Sequence, residues 1–259
     1  MRVLAIDTST LLGGVAIMDD LSGLIAEVRL NVKSTHSERL MTSVDFIIKQ
    51  SGYQLSDMDF FAVAIGPGSF TGLRIGISTV KGFSYATGKP VVAVPTLEAL
   101  ARNFHFCRYP VCTMLDARKK EVYVALFEGD EKGSIRLVPE MSIKIESFLE
   151  SLMENDYPSP NLSHGKIVFA GDGAILYRNE IINFMGERAI FAPSEKMVTS
   201  PANVASIGLQ KALRGEFSDS TCLVPFYIRR SEAELKQLDK AGSQEQRAKS
   251  REQRAREND

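Results

Sequence analysis

The stretch Gly66-Pro67-Gly68-Ser69-Phe70-Thr71-Gly72-Leu73-Arg74-Ile75-Gly76 limits what this chain can fold into more than any other. It follows the apolar run Phe60 to Ile65 and opens into an apolar-periodic segment ending near Gly88, a pattern that predicts strand, tight turn and helix N-terminus. Glycines on both sides of Pro67 permit a sharp turn that residues with a Cβ resist, and Ser69 then stands at the N-cap position. Such a turn leaves backbone N–H groups to be satisfied. It reads either as an anion site or as a turn whose glycines let the helix pack closely. No Lys follows as in a P-loop. Pro67 and Thr71 stand where a serine-hydrolase elbow around Ser69 would need glycine.

The elements around this turn can be read in order. Val3 to Ile6 is a continuous apolar run suited to a central strand, and it ends in the polar cluster Asp7-Thr8-Ser9-Thr10. Gly13 to Met18 and Gly23 to Leu30 add two strands in a meander. In His36 to Ile48 the residues Leu40, Met41, Val44, Ile47 and Ile48 share one helical face, with Gly52 just past the end. After the glycine turn and its helix come the strand Val91 to Val94 and a helix from Thr96. The first hundred residues therefore run βββαβαβα.

The second half repeats that order. Val111 to Leu115, Glu121 to Phe127 and Ile135 to Met141 form a second three-strand set. Next come a helix Ile145 to Met153, a strand Ile167 to Ala170 ending at Gly171-Asp172-Gly173, and a helix Ile175 to Phe184. A strand Ala189 to Phe191 and a helix Pro201 to Leu213 complete the set. Two βββαβαβα units predict an α/β protein of the actin-like ATPase fold, built of two ribonuclease-H-like lobes. Lobe one spans residues 1–106 and lobe two 107–230, with the last helix able to pack back on lobe one.

From Ser231 to Asp259 the composition changes. Seven basic and seven acidic residues lie between Glu232 and Asp259, with almost nothing apolar after Leu238. Such a segment buries too little surface to offset its ordering entropy, and it reads as a solvated helix or a disordered tail. Across the 259 residues, 44% hydrophobic content supports a sizeable core, while the formal net charge of -1 provides no overall basic field for nucleic acid. Three irregularly spaced cysteines and no secretory or membrane-spanning run point to a cytoplasmic protein.

In a two-lobed ATPase, the turn after the first strand of each lobe clamps the nucleotide phosphates. Asp7, Thr8 and Ser9 have the right chemistry for this in lobe one, with hydroxyls for phosphate and a carboxylate for the ion. The second-lobe turn, Asp116-Ala117-Arg118-Lys119-Lys120, carries bulky cations where phosphate would need glycine. Together with Gly171, Asp172 and Gly173, these residues describe a degenerate nucleotide cleft. The histidines His36, His105 and His164 lack a second ligand at helical spacing, so no metal site is expected, and Cys107 and Cys112 read as structural. On the helix from Ser69, Gly72 and Gly76 lie one turn apart and leave a smooth strip beside Leu73, Ile77 and Val80. A helix apolar so far round is either wholly interior or shared between the core and a partner.

Taken together, Leu4 to Thr10, His36-Ser37-Glu38, Gly66 to Gly76, Asp116-Ala117-Arg118 with Glu121-Val122-Tyr123, and Pro225 to Arg229 resemble the TsaB (YeaZ) family. The resemblance covers residues 1 to about 230. It implies a non-catalytic subunit that heterodimerises with TsaD, is joined by the ATPase TsaE, and supports transfer of threonylcarbamoyl to N6 of adenosine 37 in ANN-decoding tRNAs. Nucleotide, metal and tRNA are then expected in the assembly rather than on this chain alone. Aligned on TsaD, Thr96 and Leu100 fall where its metal-binding histidines stand. The resemblance also implies that His36, Leu40, Val44, Ser69, Thr71, Gly72, Leu73, Gly76 and Val80 form the surface for TsaD, or for a second copy of this chain when TsaD is absent. The alternative is an enzyme in its own right, an ATPase or kinase-like protein using Asp7, with Gly171-Asp172-Gly173-Ala174 near adenosine.

Overall fold

In lobe one, three strands pair in sequence: β1 (Arg2–Asp7), β2 (Gly13–Asp19) and β3 (Gly23–Leu30). β4 (Phe60–Gly66) and β5 (Val91–Pro95) then add in parallel on the other side of β1, giving the order β3-β2-β1-β4-β5. β1 and β4 are apolar nearly throughout because both of their faces are covered, as parallel central strands require. One face meets α1 (His36–Ser51) and α2 (Phe70–Thr87), where Leu40, Val44, Ile47, Ile77 and Val80 join Leu4, Ile6 and Val63 in a core. The computed structural model describes residues 1–31, 36–130, 133–154 and 165–228. His164 and the segment 231–259 lie outside these residues.

Lobe two repeats the plan with β6 (Val111–Arg118), β7 (Glu121–Asp130), β8 (Gly133–Lys144), β9 (Ile167–Ala170) and β10 (Ala189–Phe191) in the order β8-β7-β6-β9-β10. α4 (Ile145–Met153) closes one face of this sheet. The expected helix Ile175 to Phe184 instead starts at Asp172 and is broken into α5 (Asp172–Leu176) and α6 (Arg178–Met185). Tyr177, at the break, leaves the helical region and turns into the lobe-two core with Ile181 and Met185. No glycine or proline marks this break, so hydrophobic periodicity alone could not reveal it.

The last helix of each half covers the other half's sheet. α3 (Thr96–Ala101) places Leu97, Leu100 and Ala101 against Val111, Leu115, Ala125 and Phe127 of lobe two. α7 (Pro201–Leu213) places Val204, Ala205, Ile207 and Leu209 against Val3, Ala5, Ala62 and Val92 of lobe one. Polar bonds fasten the exchange: Asn203 Nδ2 donates to Ala99 O at 2.9 Å, and Arg102 Nη2 donates to Ser206 Oγ at 3.2 Å. Met1–Phe226 accordingly forms one compact unit rather than two separable halves.

Candidate functional site

The end of β1 and the glycine turn, some sixty residues apart in sequence, close on one another. Ser69 N–H donates to Ser9 O at 2.6 Å, and Thr8 Oγ1 donates to the Gly72 carbonyl at 2.7 Å. The Ser69 hydroxyl caps α2 by accepting from Gly72 N–H at 3.3 Å, and Gly88 ends the helix in the left-handed region. A Cβ on Gly72 would run into the Thr8 carbonyl oxygen, and one on Gly76 into the Thr8 hydroxyl. These glycines therefore admit the chain's own β1 turn. The expectation of a strip kept smooth for an approaching partner helix is corrected here: the space is filled from within. Leu40, Val44, Leu73 and Val80 are likewise core residues, no more than 3% exposed.

The anion reading of this turn loses two of its donors, because the N–H groups of Ser69 and Gly72 are already bonded inside the chain. Asp7, Thr8 and Ser9 are buried, and Asp7 Oδ1 accepts from both the N–H and the hydroxyl of Ser9. Burial pushes the Asp7 carboxyl above the ordinary range. The Ser9 groups and the nearby Thr199 hydroxyl oppose this, and Glu27 adds to it. Asp7 Oδ2 and Thr199 Oγ1 are both buried and make no hydrogen bond of ordinary geometry among the described residues. Glu27 accepts from the Ser200 hydroxyl and from Ala202 N–H, filling the N-terminus of α7 with a carboxylate of the chain itself. In this way Asp7 Oδ1 and the N-terminus of α7 are engaged by groups of the chain itself.

In lobe two the same position is built differently. Gly171 and Gly173 pack against the backbone and side chain of Met114, where a Cβ would clash, so they seat α5 on β6. Asp116 N–H donates to Asp172 Oδ1 at 3.0 Å, which ties the end of β6 to α5. The Asp172 carboxyl is raised first by loss of surrounding water and then by the Asp116 carboxylate, while the Asp116 N–H and Arg118 hold it down. β6 runs on to Arg118, and the two-residue connection Lys119-Lys120 leads into β7. Arg118, Lys119 and Lys120 have φ of 67°, 55° and 60°. Each left-handed residue with a Cβ costs about 1–2 kcal/mol.

The outer side of α2 is open. Thr71, Arg74, Ser78, Gly82 and Tyr85 are exposed there, Tyr85 at 95%, and Arg74 lies over the Phe70 ring at 3.8 Å. Of the sequence-derived partner residues, Thr71 is exposed and Ser69 half-buried. Neighbouring α1 exposes Met41 and Phe46 at 50% and 54%. Sequence reasoning missed Ser78 and Tyr85, although their spacing from Thr71 and Arg74 places them opposite Leu73, Ile77 and Val80 on a 3.6-residue helix. Thr96 and Leu100 lie inside the protein: Thr96 Oγ1 accepts from Gly66 N–H at 3.1 Å, and Leu100 is fully buried.

A family model described as "TsaD: tRNA N6-adenosine threonylcarbamoyltransferase" matches residues 24–237. The chain is 30% identical to the tRNA threonylcarbamoyladenosine biosynthesis protein TsaB of Bacillus subtilis over 92% of its own length and 99% of that protein. It is 38% identical to TsaB of Escherichia coli over 51% of its length and 58% of that protein. Among solved structures, YeaZ from Pseudomonas aeruginosa superposes with a TM-score of 0.72 at 26% identity, covering 87% of this chain and 99% of that one. The ethanolamine utilization protein EutJ of Carboxydothermus hydrogenoformans, at 12% identity and a TM-score of 0.50 over 79% of this chain and 89% of that one, shares the fold alone.

Proposed function

This chain belongs to the TsaB (YeaZ) branch of the TsaD-related family, and from that premise we propose that it is a non-catalytic cytoplasmic scaffold which pairs with TsaD in tRNA threonylcarbamoyladenosine synthesis. The observation that carries the proposal is the two-sidedness of α2. Its inner side is fixed by contacts to the turn after β1, while its outer side offers Thr71, Arg74, Ser78 and Tyr85 on a rigid helix. A rigid, open face loses little conformational entropy on binding, and a large aromatic beside small residues suits a helix-to-helix interface.

Two further features support a role without chemistry of its own. Thr96 and Leu100 stand at the positions aligned with the histidine pair of TsaD, one bonded to Gly66 and the other in the core. Asp7 is shut in beneath Ser9 and Thr199. On this reading, TsaE, nucleotide and tRNA join the pair, and a second copy of the chain takes TsaD's place on the same face when TsaD is absent.

The test is complex formation. Sedimentation of an equimolar mixture with purified TsaD is expected to show a heterodimer, lost on Ser78→Arg with an unchanged melting temperature. The isolated chain is expected to hydrolyse no ATP. Turnover by the chain alone that disappeared on Asp7→Ala would replace this reading with that of an enzyme.

A further inference from the structure

The hairpin joining β6 to β7 combines two features that are costly or unusual separately and here fall on the same residues. A two-residue hairpin connection with positive φ at both positions is normally filled by Asn-Gly or another glycine pair, which adopt it without steric penalty. This chain has Lys119 and Lys120 there, at φ 55° and 60°, after Arg118 at 67°. All three are exposed, the Arg118 side chain at 86%. A turn that needs only its shape has no use for lysine, so the side chains themselves call for an explanation.

The hairpin is also held in place. Arg118 N–H donates to Asp116 Oδ1 at 2.8 Å, Asp116 N–H donates to Asp172 Oδ1, and Ile145 N–H donates to Lys120 O at 3.1 Å. Asp116 faces Arg118 at 3.5 Å, Asp172 takes the Asp116 N–H, and Glu121 accepts from Ser142 Oγ and pairs in register with Lys144. Lys119 and Lys120 form the tip itself. No aromatic or large aliphatic side chain lies between Asp116 and Glu121, since Ala117 is turned into the core. Cationic side chains on a fixed backbone without an apolar anchor suit the phosphates of a nucleic-acid backbone better than the anchored centre of a protein interface.

We propose that the Arg118-Lys119-Lys120 hairpin is a phosphate-backbone contact for RNA, the site through which this chain touches the tRNA handled by its complex. The site rests on the family reading for the identity of the RNA. It positions the RNA without reading its bases. Since the chain as a whole has a net charge of -1, the contact is local and its strength depends on salt.

The test is Lys119→Asn with Lys120→Gly, which removes two charges and at the same time gives the turn residues that favour its backbone. An unmodified tRNA transcript is titrated against the complex of this chain with TsaD, and separately against the free chain, from about 50 to 200 mM salt. The double variant is expected to melt at the same or a higher temperature and to bind TsaD as the wild type does. It is expected to lose about tenfold in RNA affinity, with the slope of log K against log salt reduced by about two. Lys119→Arg with Lys120→Arg is expected to retain both affinity and slope. Unchanged RNA affinity and slope in the Asn-Gly variant, with TsaD still bound, would overturn the site and leave the family reading intact. A variant that lost TsaD but kept RNA would reassign the hairpin to a protein partner. Failure of the wild-type chain to bind TsaD at all would instead count against the proposed pairing, and the free-chain titration would then test the hairpin by itself.

Discussion

The two lobes share one strand order and place a glycine turn beside the end of their first strand, yet they use that junction in opposite ways. In lobe one, Gly72 and Gly76 let α2 settle on the turn after β1, and Thr8 and Ser9 bond across the seam. The junction becomes buried, and an 18-residue helix carries its outer face into solvent. In lobe two, Gly171 and Gly173 seat only the five-residue α5, the helix breaks at Tyr177, and the end of β6 projects as a cationic hairpin. The same topology therefore yields a stiff helical face in one half and a projecting charged tip in the other. The difference lies in how far the helix continues after the turn.

The largest effect that would break this comparison is expected in the lobe-one seam. Gly76→Leu drives a branched side chain into Thr8, Ile6 and Val63 and should destabilise the protein by about 1–3 kcal/mol or more, read from denaturant unfolding. An unfolding midpoint equal to wild type would show that the seam is loose. Because this substitution damages the fold, it cannot also report on partner binding. Ser78→Arg can, since Ser78 is exposed; its stability should stay within about 0.5 kcal/mol of wild type while association with TsaD falls tenfold or more. In the second lobe, Lys119→Asn with Lys120→Gly should gain about 1–2 kcal/mol by relieving left-handed backbone at side-chain-bearing residues, measured by the same unfolding experiment. A loss of stability there would mean that the lysines serve the fold.

A smaller effect concerns Asp7. Its folded carboxyl titrates above the unfolded value because it is buried. The stability it confers is therefore complete below the unfolded value near pH 4 and is lost as pH rises through the raised folded value. Asp7→Asn keeps an acceptor for Ser9 and removes the buried charge. Its stability relative to wild type should rise across that window and stay level above it, followed by thermal melts at stepped pH. A difference that does not change with pH would contradict this account. The smallest expected change is Gly82→Ala on the open side of α2, where nothing lies within 4 Å. It should stabilise the helix by about 0.5–1 kcal/mol.

Much of the fold could be read from the chain because period and punctuation agreed. β3, α4, β9, β10 and α7 have the bounds that their apolar runs, Pro201 and the flanking breakers imply. What could not be read depends on contacts between distant segments. The glycines of the central motif announce close approach, but not whether the approaching group is a partner helix or Thr8 of the same chain. Leu40, Val44, Leu73 and Val80 looked like interface residues because interface and core share one apolar composition, and burial decided for the core. α3 reads as the last helix of its own half, although Leu97 and Leu100 bury themselves in the other. Thr199 and Glu27 carry no local signal at all, since their importance comes from standing beside Asp7 only after folding.

The most direct test of the scaffold account is modification of unmodified tRNA by purified TsaD, TsaE and the adenylate-forming enzyme, with no addition, with this chain, or with its Ser78→Arg form. The account predicts threonylcarbamoylated adenosine only with the wild-type chain, and little with Ser78→Arg even though that variant is folded. Modification at full rate without the chain, or undiminished with the variant, would contradict a scaffold acting through the outer face of α2.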